Sequence, residues 1–243
     1  MQITFAGCGD AFGSGGRFNT CFHVDGCAAP FLIDCGATSL VALKRAGLDP
    51  GQIATIFVSH FHADHFMGIP FLVLDGQFGN RTAPLTIVGP KGLAAQYERA
   101  METAFPGSSR AARDFEVKLE EIAPGAPREA DGLRVTATEV RHAKSMTCLG
   151  YRFDVDRKVL AYTGDTEWIP ALIDLGRDAD LLVSEACFWD RNVPGHMNVT
   201  TLRENLPEVG AKRVVLTHMG EEVLSRLDQI GFETAADGLT ITL

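Results

Sequence analysis

The sequence predicts an α/β fold in which two mixed β-sheets lie between outer helices. Short runs rich in β-branched and aromatic residues alternate with segments of helical periodicity along the 243 residues. Each half of the chain begins with hairpin-type strands and continues with strand–helix units, and this mixture indicates two mixed sheets between outer helices. The ends of parallel strands converge on one edge of such a sheet, where ligands bind in α/β folds.

The first half contains five predicted strands and two predicted helices. The strands are "QITFAG" (2–7), "CFHVDG" (21–26), "PFLIDCG" (30–36), "QIATIFVSH" (52–60) and "LTIVGP" (85–90). A helix over "SLVALKRAG" (39–47) ends at Gly47, a residue type common at helix C-termini. A second helix, "GLAAQYERAMETAF" (92–105), follows the last of these strands.

The middle of the chain is rich in strands. Four are predicted: "FEVKLEEI" (115–122), "LRVTATEV" (133–140), "LGYRFDV" (149–155) and "KVLAYTGD" (158–165). Helices over 169–176, 200–210 and 221–230 then alternate with strands over 179–186, 213–218 and 239–243. Because no linker or low-complexity tract interrupts this pattern, we expect residues 1–243 to form a single domain.

Composition limits the classes of protein that fit. Hydrophobic residues make up 46% and charged residues 22%, as in a globular protein that buries a core. No apolar run reaches the roughly 18 residues of a membrane span, and no signal peptide is visible, so we expect a cytoplasmic protein without membrane contact. Its six cysteines are expected to be reduced. We expect Cys35 and Cys187 to be buried structural thiols, with a position near the functional site as the alternative. The net charge of −9 disfavours long nucleic acids as partners.

The segment "VSHFHADHFMGIP" (58–70) carries the strongest signal for chemistry. His60, His62, Asp64 and His65 directly follow an apolar strand. Alternate residues of an extended segment face the same way, so His60 and His62 can reach one point, and the next two side chains can reach a second point. Imidazole and carboxylate groups are ligands of Zn²⁺ and of related divalent metals.

Three distant residues fit the same interpretation. His142, Asp165 and His218 each follow an apolar strand at its carboxyl end, in "EVRHAKS", "LAYTGDT" and "VVLTHMG". A single histidine at a strand end is usually structural. Here three strands are each followed by a side chain that can bind metal. This pattern predicts that the three side chains converge with the cluster of residues 60–65.

The H-x-H-x-D-H string, followed by a distant His, Asp and His in that order, resembles the metallo-β-lactamase superfamily. The resemblance covers nearly the whole chain and implies an αββα sandwich with two divalent metal ions. One ion would take His60, His62 and His142. The other would take Asp64, His65 and His218, with Asp165 bridging the pair. Zn²⁺ is the first expectation, and the aspartate bridge leaves Mn²⁺ or Fe²⁺ open.

Such a dinuclear site is suited to hydrolysis. Asp64 is also a candidate to steer or deprotonate the attacking water. The lactamases themselves would carry cysteine at the bridging position, so Asp165 argues against antibiotic hydrolysis. The resemblance further implies that Asp34, in "LIDCG", orients the metal-binding loop.

Two features resemble the ribonuclease Z and phosphodiesterase branch. A glycine-rich segment, residues 7–22, follows the first strand. Glu185 ends an apolar strand and His196 follows eleven residues later, matching a Glu–His pair in which the histidine protonates the leaving oxygen. The alternative is that His196 only caps the following helix. Ser184 departs from the pattern, since that branch usually has histidine there.

Ribonuclease Z carries an arm that grips transfer RNA, inserted between the positions of His142 and Asp165. Only 22 residues separate them here, and they read as a plain hairpin. We therefore predict a small phosphodiester substrate, such as a cyclic nucleotide or a short oligonucleotide.

Three alternatives remain beside this prediction. A ribonuclease Z-like transfer RNA 3′ endonuclease would have to work through a partner or dimer surface, and a homodimer is compatible with the sequence. A lactone or thioester hydrolase would share all seven ligands but lack the Glu185–His196 pair. A non-enzymatic metal-binding redox or sensor protein is disfavoured because all seven ligand positions are filled.

Overall fold

The computed structural model describes residues 1–130 and 132–243, and this part of the chain forms fourteen strands in two seven-stranded sheets. The strands of the first half are β1 Gln2–Gly7, β2 Cys21–Asp25, β3 Phe31–Ile33, β4 Thr55–Phe57, β5 Leu85–Gly89 and β6 Val117–Glu121. Those of the second half are β7 Pro127–Ala130, β8 Leu133–Val140, β9 Cys148–Val155, β10 Lys158–Tyr162, β11 Leu181–Glu185, β12 Val214–Thr217 and β13 Glu233–Thr234. The last strand, β14 Thr240–Thr242, returns to the first sheet.

Each sheet has an antiparallel half and a parallel half. The first sheet has the order β14-β1-β2-β3-β4-β5-β6 and is parallel from β3 onward. The second has the order β13-β12-β11-β10-β9-β8-β7 and is parallel from β13 to β10. The two mixed sheets predicted from the sequence are therefore confirmed.

Helices cover the outer face of both sheets. The helices are α1 Ser39–Arg45, α2 Ala63–Phe66, α3 Ile69–Phe78, α4 Leu93–Ala104, α5 Ala171–Gly176, α6 Val199–Val209 and α7 Glu221–Leu224. Apolar residues of α1 to α4 pack on the first sheet, and those of α5 to α7 pack on the second, which confirms the αββα sandwich. Among the described residues, no helix combines the length and apolarity needed to cross a bilayer.

The inner faces of the two sheets meet in an aromatic core. The ring of Phe31 lies 5.1 Å from that of Phe153 on the opposite sheet, and the rings of Phe22 and Tyr162 are 5.3 Å apart. Central strands are thus buried on both faces, which explains why they read as continuous apolar runs in the sequence.

Two details of the predicted elements were wrong. The last helix, predicted over 221–230, is broken into α7 and a short 3₁₀ turn at Leu227–Gln229. Ser225 Oγ donates to the carbonyl of Glu222, and Arg226 leaves the helical region with φ −128°, so the helix stops there. The short strands β7 and β13 were not predicted, because β7 begins with proline and β13 has only two residues.

The parallel halves determine where a site can form. Strands β3 and β4 of the first sheet end at the same edge of the sandwich as β8, β10, β11 and β12 of the second, because side chains that follow them meet there. The residues considered next lie at the carboxyl ends of these strands or in the loops that follow them.

Candidate metal centre

The loop after β4 changes direction at His62, and this turn separates the side chains of the local motif. His62 is extended, with φ −66° and ψ 152°, and immediately precedes α2. Asp64 and His65 therefore lie in the first turn of α2, while His60 and His62 lie in the extended segment before it. The motif thus points its side chains at two neighbouring positions, as the spacing predicted.

The first position is an imidazole cluster formed by His60, His62 and His142. Their ligand atoms lie within 4.8 Å of one another, and His142 Nε2 is 3.0 Å from His62 Nδ1. His142 Nδ1 donates to the carbonyl oxygen of Gly195 at 2.7 Å, which turns Nε2 toward the cluster. His60 Nε2 is buried and has no hydrogen-bond partner in the part of the chain that the structure describes.

The second position is a carboxylate cluster formed by Asp64, His65, Asp165 and His218. Asp165 Oδ2 lies 3.3 Å from His65 Nε2 and 3.3 Å from His218 Nε2. Asp64 Oδ2 lies 3.2 Å and 3.1 Å from the same two nitrogens. Asp165 Oδ2 is also 3.9 Å from His142 Nε2, so this carboxylate lies next to both clusters.

Asp34 holds the loop in place from the end of β3. Its carboxylate accepts from Ser59 N at 2.6 Å, Ser59 Oγ at 2.8 Å and Tyr162 Oη at 3.2 Å. It is also 2.7 Å from His65 Nδ1, which leaves His65 Nε2 directed into the carboxylate cluster. The contribution of Ser59 and Tyr162 to this arrangement was missed at the level of sequence, because neither follows a recognisable ligand pattern.

The charges of the clusters favour a cation. Burial lowers the pKa of His60 well below its usual value, which favours the neutral ring that can offer a nitrogen lone pair to a metal ion. Burial also favours a neutral His218, yet the nearby Asp165 and the hydrogen bond with Asp64 raise its pKa to about 9. The pKa of His65 is raised by the same carboxylates against the effect of burial. The same carboxylates that favour protonated rings would favour a divalent ion bound between them.

The donor set therefore fits divalent metal ions. It consists of buried imidazole nitrogens and carboxylate oxygens, and two of these atoms, His60 Nε2 and Asp165 Oδ1, are unpaired among the described residues. Unpaired buried polar atoms are costly unless a ligand binds them.

Glu185 and His196 form a pair beside the clusters. His196 Nδ1 is 3.0 Å from Glu185 Oε2, and the ring of His196 lies 4.7 Å from that of His142. Glu185 is fully buried, and its other oxygen accepts from the backbone of Thr166. Burial and the charge of Asp165 raise the pKa of Glu185, whereas burial lowers the pKa of His196. Ser184 donates to the carbonyl of Glu185 and takes no part in the pair.

Comparison with known proteins identifies the family. The sequence profile described as beta-lactamase superfamily domain matches residues 30–219. The chain belongs to the beta-lactamase superfamily. Ribonuclease Z of Methanosarcina acetivorans is 26% identical to this chain. The alignment covers 95% of this chain and 91% of the ribonuclease.

Two solved structures of the superfamily share the whole fold. Human tRNase Z, short form, has a TM-score of 0.81 at 25% identity, covering 100% of this chain and 99% of that one. The metallo-beta-lactamase fold protein YhfI from Bacillus subtilis has a TM-score of 0.82 at 22% identity, covering 99% and 98%. This superfamily member is a metal-dependent hydrolase of the ribonuclease Z and phosphodiesterase branch, as the sequence predicted.

Cys187 lies beside the Glu185–His196 pair. It was expected to be a structural thiol, with a position near the site as the alternative, and a ligand atom of Glu185, of His196 and of His218 each lies within 4.8 Å of it. Residues 185 and 187 are two positions apart at the end of a strand, so their side chains face the same side. Cys35 is buried among apolar side chains under the first sheet, as expected.

Proposed function

We propose that the chain is a phosphodiesterase that cleaves a small phosphodiester, either a cyclic nucleotide or a short oligonucleotide. The Glu185–His196 pair beside the two clusters is the observation that carries this proposal. Glu185 engages Nδ1 of His196, which leaves Nε2 as the nitrogen that gives a proton to the leaving oxygen. An alkoxide is a poor leaving group unless it is protonated, so such an acid suits a phosphodiester of an alcohol.

We further propose that two divalent ions occupy the clusters, with Zn²⁺ as the first candidate and Mn²⁺ or Fe²⁺ as alternatives. The imidazole cluster would hold one ion and the carboxylate cluster the other, with Asp165 facing both. Such ions supply Lewis acidity and lower the pKa of a bound water. Asp64 would orient the attacking water and accept its proton, while Glu185 fixes the ring of His196.

Two cavities, one lined by His142 and the other by His196, support a small substrate. One of about 490 Å³ lies beside His142 and is lined in part by Arg141 and Lys144. The other, of about 290 Å³, lies beside His196 and is lined in part by Trp168. The first offers the ammonium group of Lys144 to a phosphate, since Arg141 is paired with Glu167, and it also contains Glu139. The second offers an aromatic wall to a base.

The hairpin between His142 and Asp165 also supports a small substrate. Strands β9 and β10 pair from Lys158↔Val155 to Tyr162↔Tyr151, so only two residues form the turn. All residues from 142 to 165 are described by the structure, and none extends away from the second sheet as an arm. Long nucleic acids would therefore need another surface to bind.

A second candidate is a transfer RNA 3′ endonuclease, because the similarity to ribonuclease Z extends over 95% of the chain. Its substrate would have to bind without an arm in the 142–165 segment. No observation of this kind favours a lactone or thioester hydrolase.

A turnover assay on metal-loaded protein separates these candidates. It compares bis-p-nitrophenyl phosphate, 2′,3′- and 3′,5′-cyclic nucleotides, a precursor transfer RNA, a lactone and a thioester. We expect hydrolysis of the phosphodiesters without cleavage of the transfer RNA. Specific cleavage of the transfer RNA would establish the second candidate, and activity only on the lactone or thioester would overturn both.

A further inference from the structure

Four side chains with metal-binding groups, one of them a thiol, form a third cluster next to the carboxylate cluster. We call it the thiol cluster. They are Glu185, Cys187, His196 and His218, and one ligand atom of each lies within 4.8 Å of the others. His218 is shared with the carboxylate cluster, where its Nε2 faces Asp64 and Asp165. The thiol cluster therefore adds a sulfur donor to a region otherwise lined by nitrogen and oxygen.

The fold brings these residues together in a defined way. Glu185 ends β11, and Cys187 follows on the same side of the extended segment. The parallel neighbour β12 places His218 alongside, because Thr217 is the register partner of Glu185. A bridge between Phe188 and Asn198 closes the intervening loop, which returns His196 to the site.

Two atoms of the thiol cluster lack partners. His218 Nδ1, the nitrogen directed away from the carboxylates, is buried and unpaired among the described residues. Cys187 Sγ makes no hydrogen bond with the described part of the chain, although the residue is buried. Burial, with the charges of Glu185 and Asp165, raises the pKa of the Cys187 thiol. A bound cation would lower the pKa of the thiol and bind it as the thiolate.

We propose that the thiol cluster is a separate binding site for a soft divalent ion, such as Zn²⁺ in excess or Cd²⁺, and that occupancy inhibits the enzyme. A thiolate donor selects Zn²⁺ and Cd²⁺ over Mn²⁺ and Mg²⁺. An ion in the thiol cluster would bind His196 and Glu185, so His196 could no longer donate a proton to the leaving oxygen. The inhibition rests on the proposed function, whereas the binding does not.

Titration with Cd²⁺ tests the binding without reference to activity. Protein whose two main clusters are already loaded with Zn²⁺ is titrated while thiolate-to-metal charge-transfer absorption is followed, and bound metal is then measured by elemental analysis. The variants are Cys187→Ser and, as a matched control, Cys27→Ser, a half-buried thiol in the turn before β3 at the opposite end of the sandwich. Cys187→Ala is included in case serine perturbs folding.

We expect the absorption and one additional equivalent of Cd²⁺ in the wild type and in Cys27→Ser, and neither in the two Cys187 variants. Equal absorption and metal content in wild type and Cys187 variants would overturn the site. To test inhibition, the hydrolysis rate of each protein with Cd²⁺ is divided by the rate of the same protein without Cd²⁺. This ratio should fall only in proteins that retain Cys187. If the Cd²⁺ site is present but no substrate is hydrolysed, then the proposed function has failed and the binding site stands.

Discussion

Replacing Asp34 tests whether the buried carboxylate organises the candidate metal centre. The change is Asp34→Asn, which keeps the volume of the side chain but replaces one oxygen with an NH₂ group. The carboxylate is fully buried and accepts from three donors besides its contact with His65: the backbone N–H and the hydroxyl of Ser59 and the hydroxyl of Tyr162. An amide can accept through one oxygen only, so at least one donor must face the NH₂ group.

The size of the effect follows from these contacts. Three of the four distances are between 2.6 and 2.8 Å, in the range of strong bonds to a charged acceptor. Leaving one buried donor unpaired costs about 1–3 kcal/mol, and the remaining bonds lose their charge assistance. We therefore expect the free energy of unfolding of the metal-free protein to fall by about 3 kcal/mol or more. Because His65 loses its orienting partner, metal affinity should fall by about 10- to 100-fold.

Tyr162→Phe is the matched control, since it removes only the longest of the four contacts, at 3.2 Å, from the same acceptor. That change should lower the free energy of unfolding by about 1 kcal/mol and leave metal affinity nearly unchanged. Urea unfolding of chelated protein gives the first quantity, and competition with a chelator of known affinity gives the second. A folded Asp34→Asn protein with wild-type metal affinity would refute the idea that Asp34 orients His65.

Three further predictions concern other parts of the molecule. His196→Ala should slow hydrolysis of an alkyl phosphodiester by about 10²- to 10⁴-fold but affect a p-nitrophenyl ester far less, and equal losses would remove its role as an acid. Asp165→Ala should lose metal by elemental analysis, because this carboxylate faces both clusters; a variant that retains the full metal content would contradict the assignment. Arg157→Gly should raise the free energy of unfolding, measured by urea unfolding, by up to about 1 kcal/mol, because Arg157 has φ 65° in the β9–β10 turn. A decrease would show that the arginine side chain stabilises the fold by more than its backbone strain costs.

Much of the site could be predicted because its residues follow strands whose patterns are clear. The apolar runs before His60, His142 and His218 identify strands, and the carboxyl ends of parallel strands share an edge. The structure brings these residues together, with His142 Nε2 3.0 Å from His62 Nδ1 across the two sheets.

The parts that escaped prediction depend on segments without periodicity. Cys187 resembles a core thiol in the sequence, and its neighbours become visible only when the 188–198 loop folds back on the strand ends. That return brings Gly195, with φ 83°, against the backbone of His142, where a Cβ atom would approach the carbonyl oxygen to 2.7 Å. The break in the last helix likewise depends on a local hydrogen bond of Ser225, which helical periodicity does not encode.

Both sheets contribute residues to each cluster, which links metal binding to the packing of the sandwich. In the imidazole cluster, the first sheet supplies His60 and His62 and the second supplies His142; in the carboxylate cluster, each sheet supplies two residues. An ion bound at either cluster would therefore stabilise the sheet-to-sheet arrangement as well as its own ligands. The hydrogen bond from Tyr162 on the second sheet to Asp34 on the first also joins the two sheets. Because Asp34 contacts His65, hydrogen bonds within the protein contribute to positioning the ligands, in addition to any contribution of bound ions.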